Sequence, residues 1–293
     1  MRRFGLVWVF AVALLAASCN RDEQSKTVTD EHAGHTTAPS TATSGTTATT
    51  ASEPPAVAST LPDELVKYGD ASGYLALPAA AGGASAKKPA LVVIQEWWGV
   101  DDWIREQNKR FAGQGYVALA PDLYRGRIAK SPEEAHELMR GMPEDRAMAD
   151  LKAAVDYLAA RPDVDPNRIG VIGWCMGGGY ALALATAEPR LKATVINYGR
   201  LVTDTNAITK INAPVLGNFG GADRGIPADD VKKFGGQLTQ YGKLGDIKVY
   251  DGVGHAFMNP NNKEGYDAAA ARDAWDRIDR FFDRTLRATI SNS

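Results

Sequence analysis

Cysteine is scarce in this chain: two residues, Cys19 and Cys175, in 293. A disulfide framework is therefore excluded, and an apolar core must hold the fold. An excess of either charge is also lacking. Thirty-three Lys and Arg nearly balance 35 Asp and Glu, for a formal charge of −2, so nothing suggests the basic surface that a nucleic-acid partner needs. Histidine occurs only four times, and His32 and His35 fall in a polar stretch where they are most simply solvated. No metal site and no organic cofactor are expected. The apolar run at 6–15 is about ten residues, too short to span a bilayer comfortably. What is present is an ordinary globular balance, 44% apolar and 23% charged, at a length that suits one large domain with extensions.

The N-terminus reads as an export signal. Arg2 and Arg3 precede the apolar run, and Leu15-Ala16-Ala17-Ser18-Cys19 follows it. This resembles a bacterial lipobox, with Ala16 where leucine is usual. Residues 1–19 are thus expected to be a signal, with lipidation at Cys19 and anchoring at the periplasmic side of the cell envelope. The simpler alternative is a secretory signal cleaved near Ala17 or Ser18. Residues 20–62 are rich in Thr, Ser, Ala and Pro and poor in large apolar residues. Such a segment cannot offset its ordering entropy and reads as a tether. With Cys19 lipidated, Cys175 has no disulfide partner.

From residue 63 onward strand and helix patterns alternate. Residues 66–68 and 74–77 suggest an opening hairpin. The continuous apolar run at 90–94 suggests a strand covered on both faces and 116–120 the next buried strand; 168–172, 191–196 and 214–219 suggest further strands, and 246–250 a last one. Helices are expected at 101–114, from Ser131 with Pro132 and Glu134 as a capping box, from after Pro143 to about 160, and at 177–186, 229–241 and 266–286. The alternation predicts one α/β domain over 63–293 with a mainly parallel sheet, and ligands beyond the carboxyl ends of its strands.

One pattern carries chemistry. Gly173-Trp174-Cys175-Met176-Gly177 lies between a strand and a small-residue helix. It has the form of a nucleophile elbow, with cysteine in place of serine. The tight turn needs small flanking residues, and the helix N-terminus favours a thiolate. His255, in Gly254-His255-Ala256-Phe257 after the last strand, is the candidate base, whereas His136 lies among glutamates and reads as a surface residue. The acid should lie between nucleophile and histidine, after a strand. Asp223 fits best and Asp204 second. Asp251 is too near His255 in sequence, and Asp229 and Asp230 look like helix-start residues. Backbone donors for an oxyanion are expected at Met176, after the nucleophile, and at Trp97.

These residues resemble the dienelactone hydrolase family of α/β-hydrolases over residues 73–286. The markers are Gln95-Glu96-Trp97-Trp98-Gly99, Ala120-Pro121-Asp122-Leu123-Tyr124, Gly173-Trp174-Cys175-Met176-Gly177-Gly178, Gly221-Ala222-Asp223 with Pro227, and Gly254-His255-Ala256-Phe257. The resemblance implies a Cys175–Asp223–His255 triad, and for Glu96 a place beside the nucleophile, helping it form the thiolate when substrate binds. It also implies hydrolysis of an ester or lactone through an acyl-cysteine. Two departures stand out. The family binds a substrate carboxylate with arginines; here Asn259 occupies one position, and Arg125 and Arg127 flank Gly126 at the other. Asparagine cannot reproduce a bidentate guanidinium pair, so recognition of an anionic lactone is open. Trp98, Tyr124, Arg125, Tyr198 and Asn259 are candidate substrate contacts. The alternatives are a general carboxylesterase or thioesterase, a non-catalytic binding protein of the envelope, and a redox role for Cys175. The expected partners are a small ester or lactone and, through Cys19, the membrane. The chain is expected to be a monomer.

Overall fold

The computed structural model describes residues 62–79 and 87–287. The expected signal, the lipidation site Cys19, His32, His35 and nearly all of the tether lie outside the described residues. Eight strands form one sheet in the order β1-β2-β4-β3-β5-β6-β7-β8. The hairpin strands β1 (Asp63–Tyr68) and β2 (Ala71–Ala76) are antiparallel, and β2 joins β4 (Val117–Pro121) antiparallel as well. All the other pairings are parallel, through β3 (Lys88–Ile94), β5 (Val164–Trp174), β6 (Ala193–Asn197), β7 (Val215–Gly220) and β8 (Gly245–Tyr250). β3 and β4, the second half of β5, and β6 and β7 are buried, as their largely apolar sequences require.

Local chemistry sets the helix ends. Asp101 caps α1 (Asp102–Gly113), its side chain accepting from the Ile104 amide at 3.0 Å. Ser131 caps α2 (Pro132–Gly141) through the Glu134 amide. Glu134 reaches back one residue further than a capping box requires, to the Lys130 amide at 2.9 Å. α3 (Glu144–Ala160) packs Leu151, Ala154, Val155 and Leu158 beneath the sheet core, the stripe its sequence spacing predicts. α4 (Met176–Ala187) is a small-residue helix against β5 and β6. A short helix, α5 (Thr205–Thr209), has no counterpart in the sequence reading; one turn is too brief to leave a periodic signal.

α6 (Ala228–Gln240) matches its expected span. The last helix is shorter than predicted. α7 (Ala268–Phe282) starts at the Asp267 cap and ends in a π-helical turn, Asp283–Arg287. There the Thr285 hydroxyl donates to the Phe281 carbonyl at 2.8 Å, competing with the regular ladder. α7 buries Trp275, Ile278 and Phe282. Trp275 meets Trp174 at a centroid distance of 5.8 Å, and Trp103 of α1 meets Trp174 at 5.2 Å. The residue just before Cys175 is thus wedged between helices on one face of the sheet.

Candidate active site

The sharp turn from β5 into α4 holds Cys175 at φ 53°, ψ −119°. That conformation is costly for a residue with a Cβ and persists only where the surroundings enforce it. Two glycines make the turn possible. A Cβ on Gly173 would collide with the Gly177 carbonyl oxygen, and one on Gly177 would collide with the Ile94 oxygen. Cys175 is half-buried at the helix N-terminus, and its amide donates to the Asn197 carbonyl at 3.0 Å.

The loops after β7 and β8 carry the two residues expected to act with Cys175. The Ala222 amide donates to the Val253 carbonyl at 2.8 Å, and a Cβ on Gly220 would collide with the Gly254 oxygen. This close approach sets Asp223 beside His255, with Nδ1 and Oδ2 2.6 Å apart. The other oxygen, Oδ1, accepts from the Gly225 and Ile226 amides at 2.8 and 3.2 Å. Burial works against the Asp223 carboxylate, but its bonds to His255 and to these amides hold its pKa below the ordinary value. Burial likewise works against an imidazolium at His255. The Asp223 carboxylate and the Cys175 side chain overcome it, through hydrogen bonds and charge, and raise the pKa to about 10. With Nδ1 committed to Asp223, Nε2 is the nitrogen left for Cys175. Asp204 is instead spent capping α5, accepting from the Asn206 amide, and Asp251 is exposed.

Glu96 follows β3 and is 2% exposed. Burial raises its pKa from 4.5 to about 7, although a hydrogen bond from Asn259 opposes the shift. That bond, Asn259 Nδ2 to Glu96 Oε2, is 2.7 Å. The Asn261 amide donates to Asn259 Oδ1 at 2.9 Å, which fixes the Asn259 amide group with its NH2 toward Glu96. Asn259 is therefore engaged by protein on both sides. Glu96 Oε1 and the Tyr198 hydroxyl are buried nearby and, among the described residues, have no hydrogen-bond partner of ordinary length.

These groups line a cavity of about 1160 Å³. Its walls include Glu96, Trp97, Trp98, Cys175, Met176, Tyr198, His255 and Asn259, so the structure gathers most of the sequence-predicted residues in one place. The Met176 amide opens α4, and among the described residues neither it nor the Trp97 amide donates to a backbone oxygen. Both are available as oxyanion donors. Two predicted contacts are not brought to the cavity wall. Tyr124 is buried beneath it, its hydroxyl 3.3 Å from the Met176 sulfur, because its segment packs under the elbow. Arg125 turns away to Asp150, at 2.7 Å, and to the Asp70 carbonyl. The adjoining Gly126 has φ 86°, a backbone that favours glycine over arginine. His136 is exposed as expected, yet it also rims the cavity and meets Trp97 edge-on at 4.8 Å. Met139, Arg200, Ile226 and Lys263 line it too. They come from four different loops or helices, and no sequence spacing links them.

The fold and the site together define an α/β-hydrolase, with the sheet order, elbow and loop-borne histidine of that class. The comparisons narrow it. Residues 71–286 match the model of the dienelactone hydrolase family. The chain is 36% identical over 227 residues to a "Putative carboxymethylenebutenolidase" of Salmonella typhimurium, covering 73% of this chain and 82% of that one. It is 35% identical over 223 residues to a protein of the same description from Methylorubrum extorquens, covering 71% and 75%. A crystal structure titled as a putative dienelactone hydrolase from Klebsiella pneumoniae superposes with a TM-score of 0.68 at 30% identity, covering 76% and 99%. The chain belongs to the dienelactone hydrolase family and is a carboxylic ester hydrolase.

Proposed function

We propose that this enzyme hydrolyses esters or lactones through an acyl-cysteine intermediate on Cys175. The observation that carries the reading is the 2.6 Å contact of Asp223 with His255 beside a cysteine held in the strained elbow conformation. His255, whose raised pKa favours the imidazolium, already holds the proton that Cys175 gives up, and the thiolate sulfur attacks the carbonyl carbon. The oxyanion is held by the Met176 and Trp97 amides. As the carbon–oxygen bond breaks, the imidazolium returns its proton to the leaving oxygen. In a lactone that oxygen stays tethered to the acyl group. His255 then deprotonates a water, which attacks the thioester and restores Cys175. Asp223 keeps the ring in the required tautomer and stabilises its charged form. Glu96, buried beside this centre, assists thiolate formation, the role the family resemblance implies.

The cavity supports a broader substrate range than a small anionic lactone. At about 1160 Å³ it exceeds what a small lactone ring fills. Arg125 and Asn259 are both committed to protein partners. A general carboxylesterase or thioesterase activity is therefore the second reading. The test is hydrolysis of a neutral activated ester and of a carboxylated dienelactone, with Cys175→Ala as control. Turnover of both that depends on Cys175 supports the full reading, and turnover of the ester alone keeps the mechanism and discards the anionic substrate. Wild-type rates in Cys175→Ala refute the mechanism. We also infer that the enzyme works as a monomer at the periplasmic side of the cell envelope, tethered through lipidated Cys19. Radiolabelled palmitate should enter the full chain and not Cys19→Ser.

A further inference from the structure

Two buried asparagines occupy matched positions on neighbouring strands: Asn197 at the end of β6 pairs in register with Asn218 in β7, and both are fully buried. Strands covered on both faces ordinarily carry apolar side chains there, and a buried amide is costly unless each polar atom is paired. Here they are paired in a directed chain. Arg277 of α7, which can only donate, makes a hydrogen bond from Nη1 to Asn218 Oδ1. Its other amino group holds Asp246 at 2.6 Å, which fixes the guanidinium. With Oδ1 so occupied, Asn218 Nδ2 donates to Asn197 Oδ1 at 2.8 Å. Asn197 Nδ2 is thereby turned toward Gly173 and donates to its carbonyl at 3.2 Å. The Tyr250 hydroxyl lies 3.4 Å from Asn218 Oδ1 and is bonded more closely to Asp273, at 2.7 Å.

Asn197 therefore grips the elbow twice. Its side chain holds the Gly173 carbonyl, two residues before the nucleophile, and its own carbonyl accepts the Cys175 amide at 3.0 Å. We propose that Asn197, oriented through Asn218 by the Arg277 guanidinium, is the positioning residue that keeps Cys175 in its strained, attack-ready conformation. The proposal rests on the reading of Cys175 as the nucleophile. A strained residue needs surroundings that over-determine it, and a small displacement of a reacting group can cost a large factor in rate. An apolar pair at 197 and 218 would fill the same space without supplying the second grip.

The test uses the full chain, with a neutral activated ester as substrate and iodoacetamide as thiol probe. In Asn197→Ala, kcat should fall by about tenfold or more while KM stays within about twofold. Alkylation of Cys175 should slow, with its pH midpoint displaced. Arg277→Met should reproduce the same pattern more weakly, and Arg277→Lys should restore most of the rate. Should Asn197→Ala fail to fold, Arg277→Met and Arg277→Lys decide the matter alone. A folded variant with lowered melting temperature but unchanged kcat and an unchanged alkylation profile would overturn the proposal, as would a loss confined to KM. Cys175→Ala is measured alongside. Activity surviving there refutes the nucleophile itself, whereas an inactive Cys175→Ala beside a fully active Asn197→Ala refutes only the positioning role.

Discussion

Replacing Glu96 with glutamine should make the domain more stable above neutral pH. Burial raises the Glu96 pKa from 4.5 to about 7. Below pH 4.5 the carboxyl is protonated in folded and unfolded chains alike and contributes no pH dependence. Between pH 4.5 and about 7 the unfolded chain loses this proton while the folded one keeps it, so stability falls as pH rises. Above about pH 7 the loss is complete. At about 1.4 kcal/mol per pH unit, the span amounts to about 3 kcal/mol. In Glu96→Gln the side chain would keep an acceptor for Asn259 and carry no charge, so the slope due to this site should vanish. The assay is urea unfolding of the full chain and of Glu96→Gln at closely spaced pH values from about 4.5 to about 8.5. The two stabilities should diverge progressively up to about pH 7 and then run parallel. Curves that stay parallel throughout would refute the claim that Glu96 is buried at a cost, and with it the idea that this carboxyl is kept for chemistry rather than for the fold.

Other consequences can be checked separately. Asp223→Asn should lower kcat by about 10³-fold or more, because the imidazole loses its tautomer control; a loss under about tenfold would remove Asp223 from the triad. His255, followed by NMR, should titrate near pH 10 in the wild type and much lower in Asp223→Asn, where burial remains and the carboxylate is gone. The stabilisation from its raised pKa is fully present below about 6.5 and lost as pH rises through about 10; a wild-type value near 6.5 would contradict the site electrostatics. Gly173→Ala should cost at least about 3 kcal/mol in urea unfolding, because its Cβ would run into the Gly177 backbone; a cost under about 1 kcal/mol would mean the elbow is looser than described. Arg125→Ala should destabilise by about 1–3 kcal/mol, leaving buried Asp150 unpaired, and leave KM unchanged. A raised KM for acidic substrates alone would return Arg125 to the binding site.

Much of this architecture is legible in the sequence because it follows from local rules. The largely apolar strands β3 to β7, alternating with helices, mark a parallel sheet, and Ser131 with Pro132 marks the start of α2. The elbow is legible because the chemistry demands small residues at fixed spacing around Cys175. His255 can be reached by elimination among four histidines, and Asp223 by chain order. Contacts that depend on long-range packing are not legible. Arg125 sits in the right segment for a substrate contact, but whether it faces the cavity or Asp150 depends on a backbone turn at positive φ. Asn259 reads as a substrate residue, and only the Asn261 amide reveals that it is aimed at Glu96. Asn197 and Asn218 carry no signal as single polar residues within otherwise apolar strands, because their pairing emerges only when β6 and β7 lie side by side. The π-helical end of α7 has no signature beyond Thr285, which an ordinary helix also tolerates.

The most direct test of the central claim is to trap the acyl-enzyme. The full chain is mixed with an activated ester, quenched in acid within the first turnover, digested, and read by mass spectrometry. The acyl mass should appear on the peptide containing Cys175 in the wild type and be absent in Cys175→Ala. Efficient hydrolysis with no adduct on Cys175, or an adduct on another residue, would contradict the acyl-cysteine mechanism.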